Sequence, residues 1–185
     1  SQSSDTKILN IWQGLGYYNR ALNMLHTAKY VMKYHDGVFP NQYNELIKLK
    51  GIGEYTASAI SSICNDESKA VLDGNVSRVL SRVYNVSKAI DSTEGKKELQ
   101  TIAIKLLPSS NTGEYNQAIM DFGAIQCVKY NPTCGICPIM NKCIAFQKNT
   151  IATRPVKRKK IKTKSRNLNY LYIFANNQFI LQQRG

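Results

Sequence analysis

From Ile8 to about Cys127 the apolar residues return at intervals of three and four. Ile60, Ile63 and Cys64 form one such run, Ile102, Leu106 and Leu107 another, and Val76, Val79, Leu80 and Val83 a third. That period turns one side of an α-helix toward a core. Breakers cut the pattern into short helices: "HDGVFP" (35–40), "KGIG" (50–53), "LDGN" (72–75), "DSTEG" (91–95) and "PSSNTG" (108–113). Ser92, Thr93 and Asn111 stand where helix caps are expected. No stretch before Cys127 reads as a strand. The last segment, "NLNYLYIFANNQFILQQRG" (167–185), changes character, because apolar runs flank "ANNQ". Asn-Asn accepts positive φ, so the pattern predicts a strand, a tight turn and a second strand. Two strands alone are marginally stable. The expected architecture is therefore an all-α body followed by the beginning of a second, β-containing domain. No internal repeat is visible.

Composition and charge sharpen this. The 185 residues suffice for one domain and a small piece of another, and a hydrophobic content of 43% supports a real core. No run is long and apolar enough to span a bilayer, and "SQSSDTKILN" lacks the basic-then-apolar layout of a signal peptide. A formal net charge of +13 points to a polyanionic partner, most often nucleic acid. The excess is concentrated between Arg154 and Arg166, which holds eight Lys/Arg and no acid. That stretch reads either as a solubilising linker or as a segment that faces phosphates; the second reading is preferred.

Four of the five cysteines, Cys127, Cys134, Cys137 and Cys143, form a C-x6-C-x2-C-x5-C pattern. A disulfide framework fits poorly with a chain that otherwise looks like an intracellular helical protein. Four thiolates suit tetrahedral zinc, but zinc modules usually show two close pairs separated by a longer stretch. One close pair with a single cysteine on each side suits a [4Fe–4S] cube better, and zinc remains open on spacing alone. Cys64, on the apolar run of its helix, reads as a buried core residue.

Two local motifs carry candidate chemistry. In "LKGIGEYTASAI" (49–60) a helix end is followed by Gly51-Ile52-Gly53 and a new helix. Two glycines permit a sharp turn and close approach to another surface. The N–H groups and dipole of the next helix N-terminus suit a phosphate oxygen. By itself the motif reads first as a plain helix–helix turn; its place just before the Asp73 turn in a basic chain strengthens the phosphate reading. In "VLDGNV" (71–76) Asp73 precedes a helix. As a bare feature it reads as an N-cap whose negative charge is favoured by the helix dipole.

"LKGIGEYTA" (49–57), "VLDGNVSRVL" (71–80) and the four-cysteine loop follow one another in the order and at the spacing of a known family. The chain resembles the helix–hairpin–helix base-excision DNA glycosylases that carry an iron–sulfur loop. "WQGLGYYNRA" (12–21), "YNQAIMDFGA" (115–124) and "CGICPIMNKC" (134–143) further resemble the subfamily that removes adenine mispaired with 8-oxoguanine or guanine. The resemblance covers about residues 8 to 150. It implies a six-helix barrel, a [4Fe–4S] cluster on Cys127, Cys134, Cys137 and Cys143, and a C-terminal Nudix-like domain of which residues 168–185 are the start. The implied boundaries are a glycosylase domain over 1–126, the cluster loop over 127–150, and a basic linker over 151–167.

Site residues carry over from the same resemblance. Asp73 matches the family's catalytic aspartate, and Asn75 a polar residue that helps arrange the site. Tyr55 stands where bifunctional thymine-glycol glycosylase/lyases carry a lysine. A phenol cannot form a Schiff base, so Tyr55 argues for a monofunctional hydrolase. Tyr17 and Leu15 match a loop that wedges into the base stack; without the resemblance Tyr17 and Tyr18 read as helix-end packing. Gly51, Ile52 and Gly53 match the phosphate-binding hairpin. The implied partner is double-stranded DNA with an A:8-oxoguanine or A:G mismatch, the implied state a monomer, and the implied place the bacterial cytosol, with the nucleoid.

One part of the family pattern is missing. The family's general acid is a glutamate well before "GLGYY", yet only eleven residues precede Trp12 and Asp5 is their only acid. The expectation is an interior fragment of a longer protein that excises little by itself. The alternatives are a thymine-glycol-type glycosylase/lyase and a non-catalytic iron–sulfur DNA-binding module.

Overall fold

The computed structural model describes residues 1–158 and, beyond them, 165, 167, 171, 173–175, 178 and 179. Its body is helical, as the periodicity predicts: α1 (Asp5–Ile11), α2 (Asn19–Tyr34), α3 (Tyr43–Leu46), α4 (Glu54–Asn65), α5 (Gly74–Val83), α6 (Thr93–Leu106), α7 (Thr112–Ile125) and α8 (Ile144–Gln147). Short 3-10 turns at Cys134–Ile136, Met140–Lys142 and Ile151–Thr153 shape the cysteine loop and its exit. No helix among the described residues is long and apolar enough to cross a membrane.

Two cores hold these helices. Val31, Leu46, Leu49 and Ala57 form one, with Ile47, Ile52 and Ile60 packed against it, and it clamps α2, α3 and α4 around the 50–53 turn. Ala70, Val76, Leu80, Val86, Leu99 and Ala103 form the other, which joins α5 to α6 and takes Ile119 and Met120 from α7. Helix α7 thus braces both α4 and α5. Its glycines allow the approach: a Cβ at Gly113 would lie 2.5 Å from the Ser62 carbonyl oxygen, and one at Gly123 would lie 2.8 Å from the Asn75 Cβ.

That tight contact corrects two sequence expectations. Helix α4 buries Ala57, Ser58, Ser61 and Ser62 rather than its bulkier apolar run. Only small side chains fit against Gly113, so Ile63 and Cys64 turn outward, and Cys64 is exposed rather than part of the core. Asn111 does precede α7, but its φ is 56° and its side chain makes no capping bond. The cap comes from Asp66 instead, whose carboxylate accepts from the Asn111 N–H (2.9 Å), the Thr112 hydroxyl (2.8 Å) and the Gly113 N–H (3.2 Å). These bonds, that from Thr112 foremost, hold the Asp66 carboxyl below its ordinary range. Ser92 caps α6 as expected, accepting from the Gly95 N–H at 2.9 Å, and Thr93 is the first helical residue.

Near the C-terminus Phe174–Ala175 (β1) pairs antiparallel with Gln178–Phe179 (β2), in the register Phe174↔Phe179 and Ala175↔Gln178. Two paired strands on either side of Asn176-Asn177 agree with the expected strand–turn–strand pattern. The rest of the 168–185 expectation, and most of the basic stretch after Arg158, lies outside the described residues.

Candidate active site

Asp73 occupies the N-cap of α5 with extended backbone (φ −95°, ψ −172°). Its Oδ1 accepts from the Val76 N–H at 2.7 Å. Among the described residues no hydrogen bond is made to Oδ2, and the residue is half-buried. One oxygen caps the helix and the other is uncommitted. The segment leading to Asp73 is locked by Asn116, 1% exposed, on α7. Its amide donates to the Lys69 carbonyl (2.8 Å) and the Ser62 hydroxyl (2.9 Å), and its Oδ1 accepts from the Val71 N–H (3.2 Å).

Asn75, in the first turn of α5, accepts from Arg78 Nη2 at 2.8 Å. Arg78 also donates to the Cys127 carbonyl at 2.8 Å and to the Gly123 carbonyl. One guanidinium therefore ties the Asp73 helix, α7 and the start of the cysteine loop together. Tyr55 lies in the first turn of α4, 46% exposed, and its hydroxyl reaches Met120 Sδ at 3.7 Å. It lines a cavity of about 560 Å³ together with Glu54, Leu72 and Ser77. Leu72 is the residue before Asp73, which does not itself line this cavity.

The 12–18 loop is strained outward. Gly14, Gly16 and Tyr17 have φ of 88°, 67° and 49°. The turn is held by the Trp12 indole N–H on the Gly16 carbonyl at 3.0 Å, and Arg20 lies over both Trp12 and Tyr17. Leu15 is 63% and Tyr17 85% exposed. Tyr17 is therefore not helix-end packing, since its ring is presented to solvent.

The hairpin glycines differ in kind. Gly51 has φ +87°, and a Cβ there would lie 2.7 Å from the Asn23 Cβ, so the fold itself demands glycine. Gly53 is the N-cap of α4 with φ −93°, and a Cβ there would meet nothing within 4 Å. No side chain caps this helix start, which leaves its first N–H groups available. Ile52 packs on the α2–α4 core and anchors the turn.

The four cysteines line one small cavity together with Phe122, Met140, Phe146 and Arg82, although among the described residues no three of them converge closely enough to hold a single metal ion. Burial pushes the Cys134 thiol up, and the other three sulfurs add to it while Arg82 opposes it. Cys127, Cys134 and Cys137 are partly buried and Cys143 is buried. Arg82, 2% exposed, was not legible in sequence. Its guanidinium donates to Cys127 Sγ (3.4 Å) and to the carbonyls of Val128 (2.7 Å), Lys129 (3.1 Å) and Arg154 (3.2 Å). A fully buried cation that donates to the cysteine loop and to the Arg154 carbonyl after it fixes the path of both. Arg78 and Arg82 share a helix face at i, i+4, but the loop they hold begins some forty-five residues after Arg82, so nothing local marks their role.

Known proteins match this arrangement. Residues 35–63 match the helix-hairpin-helix motif. Over 183 residues the chain is 37% identical to the adenine DNA glycosylase of Buchnera aphidicola subsp. Schizaphis graminum, covering 99% of this chain and 53% of that protein. It is 36% identical over 149 residues to the human adenine DNA glycosylase, covering 80% of this chain and 27% of that one. The chain thus spans about half the length, or less, of these relatives. Among solved structures, a thermostable thymine-DNA glycosylase superposes with a TM-score of 0.71 at 26% identity, over 80% of this chain and 68% of the other. An endonuclease III in non-covalent complex with DNA superposes at 0.67 with 22% identity, over 80% and 67%, which speaks to the fold.

Proposed function

We infer, from a chain that belongs to the helix–hairpin–helix DNA glycosylases, that the protein hydrolyses the N-glycosidic bond of adenine mispaired with 8-oxoguanine or guanine in duplex DNA. The observation that carries this reading is the divided carboxylate of Asp73, one oxygen capping α5 and the other without a hydrogen bond among the described residues.

The chemistry follows from charge. Breaking the bond between C1′ and the base sends the electron pair to the base nitrogen and leaves positive charge on the sugar, as in glycoside hydrolysis. A fixed carboxylate beside C1′ opposes that charge in a site already organised to hold it. Water then adds to C1′ and loses a proton. The target nucleotide must first leave the stack; the outward Tyr17 and Leu15 serve as the wedge, and the Gly51–Gly53 hairpin and the α4 N-terminus hold a backbone phosphate. Asn75, tied to Arg78, holds the start of α5 in place. Tyr55 offers no amine, so a covalent imine with the sugar is not formed.

Excision also needs an acid for the departing base, in this family a glutamate. Asp5, the only acid before Trp12, sits on α1 and pairs with Lys29 at 3.9 Å, so it belongs to a surface contact. The reading therefore concerns the protein at its full natural length.

The four-cysteine cavity fits a [4Fe–4S] cluster: four thiols, mostly apolar walls and one buried cation facing them. Cys127, Cys134, Cys137 and Cys143 would hold it. When bound, such a cluster supplies structural cross-linking and a redox-active centre. The N-terminal helices with the cluster loop form the DNA-binding body, and the 168–185 segment begins a Nudix-like domain.

The testing experiment is base release from three duplexes, carrying A:8-oxoguanine, A:G and thymine glycol, with borohydride present to trap any imine. Release of adenine without trapping supports the reading. Trapped product on thymine glycol favours a lyase, and binding to all three without release favours a non-catalytic module.

A further inference from the structure

Helix α7 presents one packed stripe to the candidate site. Gly113, Asn116, Met120 and Gly123 recur at three and four along it, so they share a face. Each meets a different part of the site. Gly113 lies against the Ser62 carbonyl oxygen of α4, where a Cβ would come within 2.5 Å. Met120 packs on the α5–α6 core, and its sulfur receives the Tyr55 hydroxyl at 3.7 Å. Gly123 lies against Asn75 in the first turn of α5, where a Cβ would come within 2.8 Å of the Asn75 Cβ. From Met120 to Gly123 the helix rises about 4.5 Å. The Tyr55 hydroxyl and the start of the Asp73 helix are thus spaced along α7 by about one helical turn.

Asn116 is the member of the stripe that bonds to both sides. It is 1% exposed. Its Nδ2 donates to Ser62 Oγ at 2.9 Å and to the Lys69 carbonyl at 2.8 Å, and its Oδ1 accepts from the Val71 N–H at 3.2 Å. Ser62 stands on the helix that carries Tyr55, about two turns farther along. Val71 stands just before Leu72 and Asp73. Residues 66–73 join α4 to α5 without helix or strand, so no backbone ladder fixes them. Ala70 and Val71 bury their side chains there, but apolar burial has no direction. The Asn116 amide supplies the direction.

We propose that Asn116 is a positioning residue for base excision: by bonding Ser62 on the Tyr55 helix and Lys69 and Val71 ahead of Asp73, it fixes the Asp73 carboxylate relative to Tyr55. It acts through Asp73 and not on the substrate. This rests on the DNA-glycosylase reading above and adds to it the element that registers the two groups. The Asp73 cap alone does not do this, because its bond to the Val76 N–H moves with α5. Charge stabilisation depends on where the carboxylate sits, and a displacement of about 1 Å costs on the order of 100-fold in rate.

The test is single-turnover release of adenine from an A:8-oxoguanine duplex by the protein at its full natural length, well below every variant's thermal midpoint. Affinity is measured in parallel on the same duplex with a non-hydrolysable adenine nucleotide. Asn116→Ala should slow release by about 10- to 100-fold and leave affinity within about twofold. Ser62→Ala removes only the tie to α4, at a position where alanine suits the helix. It should slow release by about three- to tenfold, and it decides the matter if Asn116→Ala does not fold. Leu99→Val loosens the α5–α6 core and should lower the thermal midpoint without slowing release. Release within about twofold of the unaltered protein, by the folded variants at Asn116 and Ser62, would overturn the positioning role. So would loss of rate and affinity together, or equal slowing by Leu99→Val, since both follow from weakened packing alone. If the unaltered protein releases no adenine, the DNA-glycosylase reading falls and this inference with it.

Discussion

Replacing Gly53 with valine isolates the hairpin's role from the hairpin's fold. The backbone there is extended (φ −93°, ψ 178°), which valine adopts readily, and its Cβ would meet nothing within 4 Å. Two stability effects then oppose each other. A poorer N-cap costs about 0.5–1 kcal/mol, and a less flexible unfolded chain returns about 0.4–1 kcal/mol. Net stability should change by less than about 1 kcal/mol. The free helix start, however, is where a phosphate oxygen would sit, and a branched side chain there displaces it. A hydrogen bond to a charged group is worth roughly 1.5–3 kcal/mol, so duplex affinity should fall by about 10- to 100-fold. The slope of affinity against salt should stay constant, because no cation is removed. Gly51→Ala makes the contrast. Its left-handed φ costs about 1–2 kcal/mol, and the 2.7 Å approach to Asn23 adds to that, so this variant loses stability first. Thermal unfolding and fluorescence anisotropy on one short duplex measure both quantities. Wild-type affinity in a stably folded Gly53→Val protein would refute the phosphate-binding role.

Other expectations follow from named contacts. Asn116→Ala leaves the Lys69 carbonyl and the Val71 N–H without their partner, and should cost about 2–4 kcal/mol by chemical denaturation. Asp66 has its folded-state pKa lowered, so its contribution is present above the unfolded value and lost as pH falls through the folded one. Stability of the unaltered chain should therefore drop below about pH 4, and Asp66→Ala should flatten that acid limb. Protein purified anaerobically should be brown with about four irons per chain, and stoichiometric zinc without iron would contradict the cluster. Arg82→Ala should speed iron loss to a chelator, followed by the decay of visible absorbance, because the Cys127 end of the loop loses its anchor.

What the sequence revealed depended on how local the chemistry was. Asp73 as a cap, Ser92 as a cap and two strands flanking "ANNQ" are written within a few residues, and the structure has them. Gly51 and Gly53 were legible as a turn, but only the Asn23 contact separates the glycine that the fold needs from the one it does not. The misses are tertiary. Cys64 sits on an apolar run, yet the close α4–α7 approach selects the serine face and turns Cys64 outward. Asp66 carries no local mark, because the helix it caps begins some forty-five residues later. Arg82 reads as a surface charge until the cysteine loop folds over it. Tyr17 was ambiguous because exposure, which distinguishes a wedge from a packed ring, is not a property of a short segment.

The account turns on the charge of Asp73, and single-turnover release of adenine from an A:8-oxoguanine duplex by Asp73→Asn, in the protein at its full natural length, tests that charge most directly. Asparagine keeps the size, and its carbonyl can still accept from the Val76 N–H, so the helix start and duplex binding should survive. It lacks the negative charge opposite the forming sugar cation, a term worth about 2.7–4 kcal/mol in comparable sites. Adenine release should therefore fall by about 10²- to 10³-fold or more while duplex affinity stays within a few-fold. Release within about tenfold of the unaltered protein, by a variant that binds normally, would contradict the central claim that Asp73 is more than a cap.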